Sequence, residues 1–129
     1  MLSMPHIHDK IDFTVEVFVV YDGRVLLRKH DKYKKWLSVG GHIELNEDPN
    51  QAAIREVKEE VGLEIKLKGS RLQFSEEISD YTELIPPVFL NRHRINETHE
   101  HVTLVYFALA QIDNLNPSKK ERSEELRWF

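Results

Sequence analysis

Cysteine is missing altogether from the 129 residues. Its absence excludes disulfides, a thiolate zinc site and thiol nucleophilic catalysis together. Long apolar runs are missing too. The opening "MLSMPHIHDK" lacks the hydrophobic core of a signal peptide, and no stretch approaches membrane-spanning length. The expectation is therefore a cytoplasmic protein with no membrane partner. Basic charge is not in excess. With a net charge of -4, a nucleic-acid duplex is an unlikely partner, because phosphate backbones call for a basic field. An acidic protein can still take a polyphosphate when a cation stands between them. No internal repeat and no low-complexity tract occurs, and the "MPHIH" segment is assigned no role.

What is present describes an ordinary folded chain: 40% hydrophobic and 31% charged residues exclude intrinsic disorder. The length suits one domain over 1–129. "DFTVEVFVV" (12–20) alternates, with Phe13, Val15, Val17 and Val19 on one strand face. Asp22-Gly23 turns it into "RVLLRKH" (24–30) as a hairpin. "LSVGGHIELNED" reads as a glycine-containing loop or short strand. A helix is expected from Pro49 to Val61, with Asp48 as N-cap, Gln51 closing a capping box and Gly62 as the stop. "LEIKLKG" and "RLQFSEEIS" read as two further strands, and "ELIPPVFLNRHRINETHEH" as an irregular loop. "VTLVYFALAQI" (102–112) is the most apolar run and is expected to be the central strand. "NLNPSKKERSEELRWF" reads as a polar connector ending in an apolar pair. The sum is an α+β arrangement, a mixed sheet with a helix packed on it.

The helix carries the segment "REVKEEVG". Helical geometry, with Glu56 at zero, puts Glu59 at about -60° and Glu60 at about +40°. Ile54, Val57 and Val61 fall between about 100° and 160°, an apolar stripe beside the acidic arc. Ala52 and Ala53 flank the acids and are expected to leave room for an approaching group. On an open surface three such carboxylates are harmless, and a solvated helix face would explain them. In a cleft they repel by about 4 kcal/mol per pair at 4 Å and an effective dielectric of 20, unless a cation holds them. Hard divalent cations favour carboxylate oxygens and bridge to phosphates.

The preceding loop separates these readings. In "GHIELNEDPNQAAIREVKEEVGL" (41–63), Gly41 is followed after five residues by Glu47, and after seven more by Arg55-Glu56-Val57. Glu59-Glu60, Val61, Gly62 and Leu63 complete the pattern. The segment resembles the Nudix (MutT-like) hydrolase signature at every defined position. Seven positions demand one named residue, so a chance match is on the order of one in ten million or rarer. The resemblance implies an α/β/α sandwich with a mixed sheet and a loop-helix-loop catalytic motif. It also implies hydrolysis of a nucleoside diphosphate linked to another moiety, a small-molecule substrate. In that setting Glu56, Glu59 and Glu60, with the carbonyl of Gly40, would hold Mg²⁺ or Mn²⁺. Glu47 would support the metals, and Arg55 would fix a carboxylate or bridge to Glu59 at i,i+4. Gly41 would let the backbone bend, and Gly62 would stop the helix. Relatives generally continue past an "EELRWF"-like stretch into a second helix, so the C-terminal helix is expected to be absent or truncated. A homodimer contact made by that layer is open.

Outside the signature the general base is either a box glutamate or one on the later loop, where Glu100 is favoured over Glu97. Arg92 and Arg94 are candidate substrate contacts. Tyr81 or Phe89 could stack a base, although packing explains them as well. His93, His99 and His101 are read as substrate-facing or structural rather than as an independent metal site. Val39 replaces a frequent proline, and neither a "SQPWPFP"-like segment nor a clean ADP-ribose marker is present. Two rival functions remain. One is a non-catalytic nucleotide-binding domain of the same fold, opposed by the intact box. The other is an isopentenyl diphosphate isomerase, opposed by the lack of cysteine.

Overall fold

Two eleven-residue strands, Ile11–Tyr21 (β1) and Glu100–Ala110 (β7), run parallel in the computed structural model, in register from Ile11↔Glu100 to Val20↔Leu109. The structure describes residues 10–31, 33–74, 76–118 and 125–129. The "MPHIH" segment lies outside them. Each central strand has its other edge filled in two pieces. On β1, Arg24–Lys29 (β2) pairs near the C-terminal end and Val39–His42 (β4) pairs with Thr14 to Val17, both antiparallel. On β7, Ile65–Leu67 (β5) pairs with 108–110 and Phe89–Arg94 (β6) with 100–105. Trp36–Leu37 (β3) and Glu125–Trp128 (β8) join β2. The sheet is mixed and the apolar 102–112 run is central to it, as expected. The turn between β1 and β2 has positive φ at both Asp22 (49°) and Gly23 (71°), the pair that a two-residue hairpin of right-handed twist requires.

One helix is present among the described residues, Pro49–Val61 (α1), and it is capped as its sequence dictates. Asp48 accepts from the Gln51 backbone at 2.8 Å, and Gln51 Oε1 accepts from the Asp48 backbone at 2.9 Å. At its other end Gly62 adopts φ 78° and donates to the Lys58 carbonyl. Asn116 and Ser118 then donate backbone bonds to the Val61 and Glu59 carbonyls, satisfying acceptors that a helix end leaves open. The α1 face carrying Ala52, Ala53, Val57 and Val61 packs on Val15, Val17 and Val19, all nearly inaccessible to solvent. No described helix is long and apolar enough to cross a membrane.

Four expectations change. "RLQFSEEIS" forms no strand among its described residues, because β5 and β6 already fill the edge of β7 that it would need. The segment 85–101 is not wholly irregular: Phe89–Arg94 pairs with β7 through its backbone, although every side chain in it is exposed and shows no burial pattern. The terminal connector contains β8, and Trp128 packs beside Tyr21 with ring centroids 6.0 Å apart. Finally, Ile54 is exposed, while Ala52 and Ala53 are fully buried against the sheet instead of leaving room for an approach.

Candidate functional site

The last of these changes sets the geometry of the acidic helix. With alanines at the contact, α1 lies close to the sheet, and its buried arc sweeps past Val57 to include Glu60, only 9% exposed. The acids therefore span the margin of the helix–sheet interface, from buried Glu60 to Glu59, whose side chain is 51% exposed. Gly41 on β4 faces Glu56. A Cβ built there would lie 2.5 Å from the Glu56 carboxylate, so a larger residue at 41 would push that acid from its place.

Arg55 holds the cluster. Its Nη1 donates to Glu56 at 2.9 Å and to Glu59 at 3.3 Å, while Nη2 donates to Glu47 at 2.6 Å and to the His42 carbonyl at 2.9 Å. Nε adds a bond to Glu47 Oε2 at 3.0 Å. The two roles anticipated for this arginine, fixing a carboxylate and bridging to Glu59, are met by one guanidinium. Glu47 in turn accepts from the Glu44 backbone at 2.9 Å, which ties the loop to the helix. The hydrogen bonds from Arg55 hold the Glu47 pKa below its ordinary value and raise that of Arg55. Glu56 moves the other way. Burial raises its pKa, against the opposing attraction of Arg55.

Glu60 faces a different arginine. Arg28 Nε lies 3.6 Å from the Glu60 carboxylate and donates to the Ser38 carbonyl at 2.9 Å. Arg28 also borders a cavity of about 370 Å³, whose wall includes Glu16, Gly40, Gly41, His42 and His101. The paired glycines thus separate the acidic helix from this cavity. Neither Arg28 nor the cavity was legible in the chain, since Arg28 stands in "RVLLRKH" as one more charge on an alternating strand.

The later candidates sit elsewhere. Glu100 pairs with Ile11, four residues along β1 from the Val15 that faces Gly41, a separation of about 13 Å along the strand. Its carboxylate accepts two bonds from Arg92, both 2.8 Å, which lowers its pKa. Arg94 registers opposite Glu100, and both arginines are exposed. Glu97 occupies the exposed 95–98 turn. Tyr81 donates to Glu83 at 2.8 Å, and Phe89 meets Phe107 edge to face. The fold brings Glu47, Arg55, Glu56, Glu59 and Glu60 together with the Gly40-Gly41 strand, and leaves Glu100, Arg92 and Arg94 at the far end of the sheet.

Comparison with known proteins agrees with the fold. A family model described as the NUDIX domain matches residues 12–129. A NUDIX-family hydrolase from Clostridium perfringens is 35% identical, with a TM-score of 0.75 over 92% of this chain and 80% of that one. A MutT NUDIX hydrolase from Burkholderia pseudomallei is 25% identical, with a TM-score of 0.65 over 94% of this chain and 84% of that one. A structure described as UDP-X diphosphatase, at 19% identity and a TM-score of 0.62, shares the fold over 95% of this chain and 52% of its own.

Proposed function

Because the chain belongs to the family of NUDIX domains, we propose that it is a metal-dependent pyrophosphohydrolase acting on a nucleoside diphosphate linked to a further group. One observation carries this reading: Glu56 and Glu60 are largely buried, and Glu56 lies against Gly41 of β4, where a Cβ would displace its carboxylate. Carboxylates removed from water need cationic partners. Their oxygens suit a hard ion, Mg²⁺ with Mn²⁺ as substitute, and Glu56, Glu59 and Glu60 with the Gly40 carbonyl would hold it. Such an ion would offset the negative charge of the phosphates and lower the pKa of a water, so that the water could give up its proton as it attacks phosphorus.

The residues of the chain do the remaining work. Arg55 and Glu47 orient Glu56 and Glu59, so that their oxygens are directed before substrate arrives. A carboxylate oxygen of the helix takes the proton of the attacking water as its oxygen bonds to phosphorus, the bridging P–O bond breaks and the other phosphate leaves as an anion. The helix is favoured over Glu100 for this task because Glu100 is engaged by Arg92 and remote along the sheet. Arg28, between Glu60 and the cavity, is suited to an anionic oxygen of the substrate, while Arg92 is engaged by Glu100 and Arg94 lies exposed opposite it.

The test is Mg²⁺-dependent phosphate release with product identification. The panel comprises canonical and oxidised nucleotides, nucleotide sugars, dinucleoside polyphosphates and ADP-ribose. Glu59→Gln and Glu60→Gln are expected to lower turnover by orders of magnitude with an unchanged circular dichroism spectrum. Normal turnover in both variants refutes the site. Ligand binding without any turnover in the unmutated chain would instead support a non-catalytic binding domain.

A further inference from the structure

On the face of the sheet opposite α1, strand register gathers three metal-ligating side chains that lie far apart in sequence. Asp12 pairs with His101 across β1 and β7, and Thr14, two residues on, pairs with His42 of β4. Because side chains alternate with period two, Asp12, His42 and His101 project from the same face of three adjacent strands. One ligand atom from each lies within 4.8 Å of the others. Asp12 is essentially inaccessible, with Oδ1 accepting from the Phe13 backbone at 3.0 Å and Oδ2 3.2 Å from His42 Nε2. The Asp12 carboxylate, held by the Phe13 backbone on one oxygen and facing an imidazole with the other, is fixed in orientation, as a ligand to a metal must be.

We propose that Asp12, His42 and His101 form a binding site for a borderline transition-metal ion of the Zn²⁺ class, separate from the glutamate cluster. Tetrahedral zinc at about 2.0–2.1 Å from its ligands sets the donors about 3.3 Å apart. The Asp12–His42 pair already has that spacing, and the ligand atom of His101, within 4.8 Å of both, would have to close the remaining distance. The donor set discriminates between the two sites. Two imidazoles and one carboxylate suit zinc, whereas Mg²⁺ prefers oxygen alone. The pleat of β4 keeps the sites apart, since Gly41 faces Glu56 while His42, the next residue, faces Asp12. His42 and His101 border the 370 Å³ cavity, so the fourth position of the ion opens where an anionic oxygen of a ligand could reach it.

The experiment is a Co²⁺ titration of the metal-free 129-residue chain, followed through ligand-field absorption and Zn²⁺ competition with a chromogenic chelator. Visible bands of tetrahedral strength are expected, displaced by Zn²⁺ but not by excess Mg²⁺. They should persist in Glu59→Gln/Glu60→Gln and in His6→Ala/His8→Ala, and Zn²⁺ affinity should fall by more than about 100-fold in His101→Ala, beyond the loss from an outer partner. Unaltered affinity in His101→Ala, or bands lost in either double variant, overturns the proposal. Ring resonances of the unmutated chain give a measurement that needs no variant. Zn²⁺ should shift those of His42 and His101 and Mg²⁺ should not; equal response to both ions overturns it. None of these readouts requires turnover, so the site can stand or fall independently of the hydrolase reading.

Discussion

Replacing Arg55 by alanine removes the one cation among the described residues that touches Glu47, Glu56 and Glu59 at once. The Glu47 and Glu56 side chains are only 11% and 14% exposed, and the arginine is 24% exposed. Breaking a buried pair costs about 3–5 kcal/mol, and partial solvent access reduces the expected loss here to about 2–4 kcal/mol. In urea, with m of about 2 kcal/mol per M, the unfolding midpoint should fall by roughly 1–2 M in the presence of EDTA. Mg²⁺ then discriminates the cause. A ligand at 100 times its Kd stabilises by about 2.7 kcal/mol, and where the charge lost with the arginine outweighs its orienting bonds, a dication among the stripped carboxylates should bind more tightly than in the parent. The deficit of Arg55→Ala should therefore shrink as Mg²⁺ rises. Arg55→Lys, which keeps one charge but not the fork, should fall between the two. A loss below about 0.5 kcal/mol, the scale of an ordinary surface change, would refute the counter-ion argument. So would a deficit that Mg²⁺ leaves untouched.

Gly62→Ala should destabilise by more than about 1 kcal/mol, since φ is 78° and a Cβ there meets the Asn116 backbone; thermal denaturation measures it, and a neutral outcome contradicts the cap. Glu100→Gln should lower turnover far less than Glu60→Gln in the same assay, and an equal loss would return the general base to β7. Tyr106→Phe tests a pH dependence. Burial raises the Tyr106 pKa, so the folded state holds the proton; stability is fully present below the unfolded value of about 10 and is lost as pH rises through the folded one. At neutral pH the variant should lose about 0.5–1.5 kcal/mol with the Asn50 hydrogen bond, and the gap should narrow in urea titrations carried past about pH 10. A gap independent of pH would contradict that shift.

Local rules made several elements legible. The Asp48–Gln51 capping box, the Gly62 stop and the Asp22-Gly23 turn depend on neighbours a few residues apart, and each has the anticipated geometry. The spacing from Gly41 to Leu63 identified the family because its residues share one loop and one helix. The strand at Phe89–Arg94 escaped notice for the opposite reason. Its exposed side chains carry no alternation, and only the open edge of β7 makes it a strand.

By itself, the chain determined the acidic helix, its ends and its kinship, since those follow from intervals of a few residues. Tertiary structure decided which helix face is buried, because small alanines let α1 settle on the sheet and draw Glu60 inward beside Arg28. It alone decided that Glu100 is bound by Arg92 while Asp12 meets His42 and His101. Contacts of that kind depend on strand register, and register arises from the collective packing of distant segments.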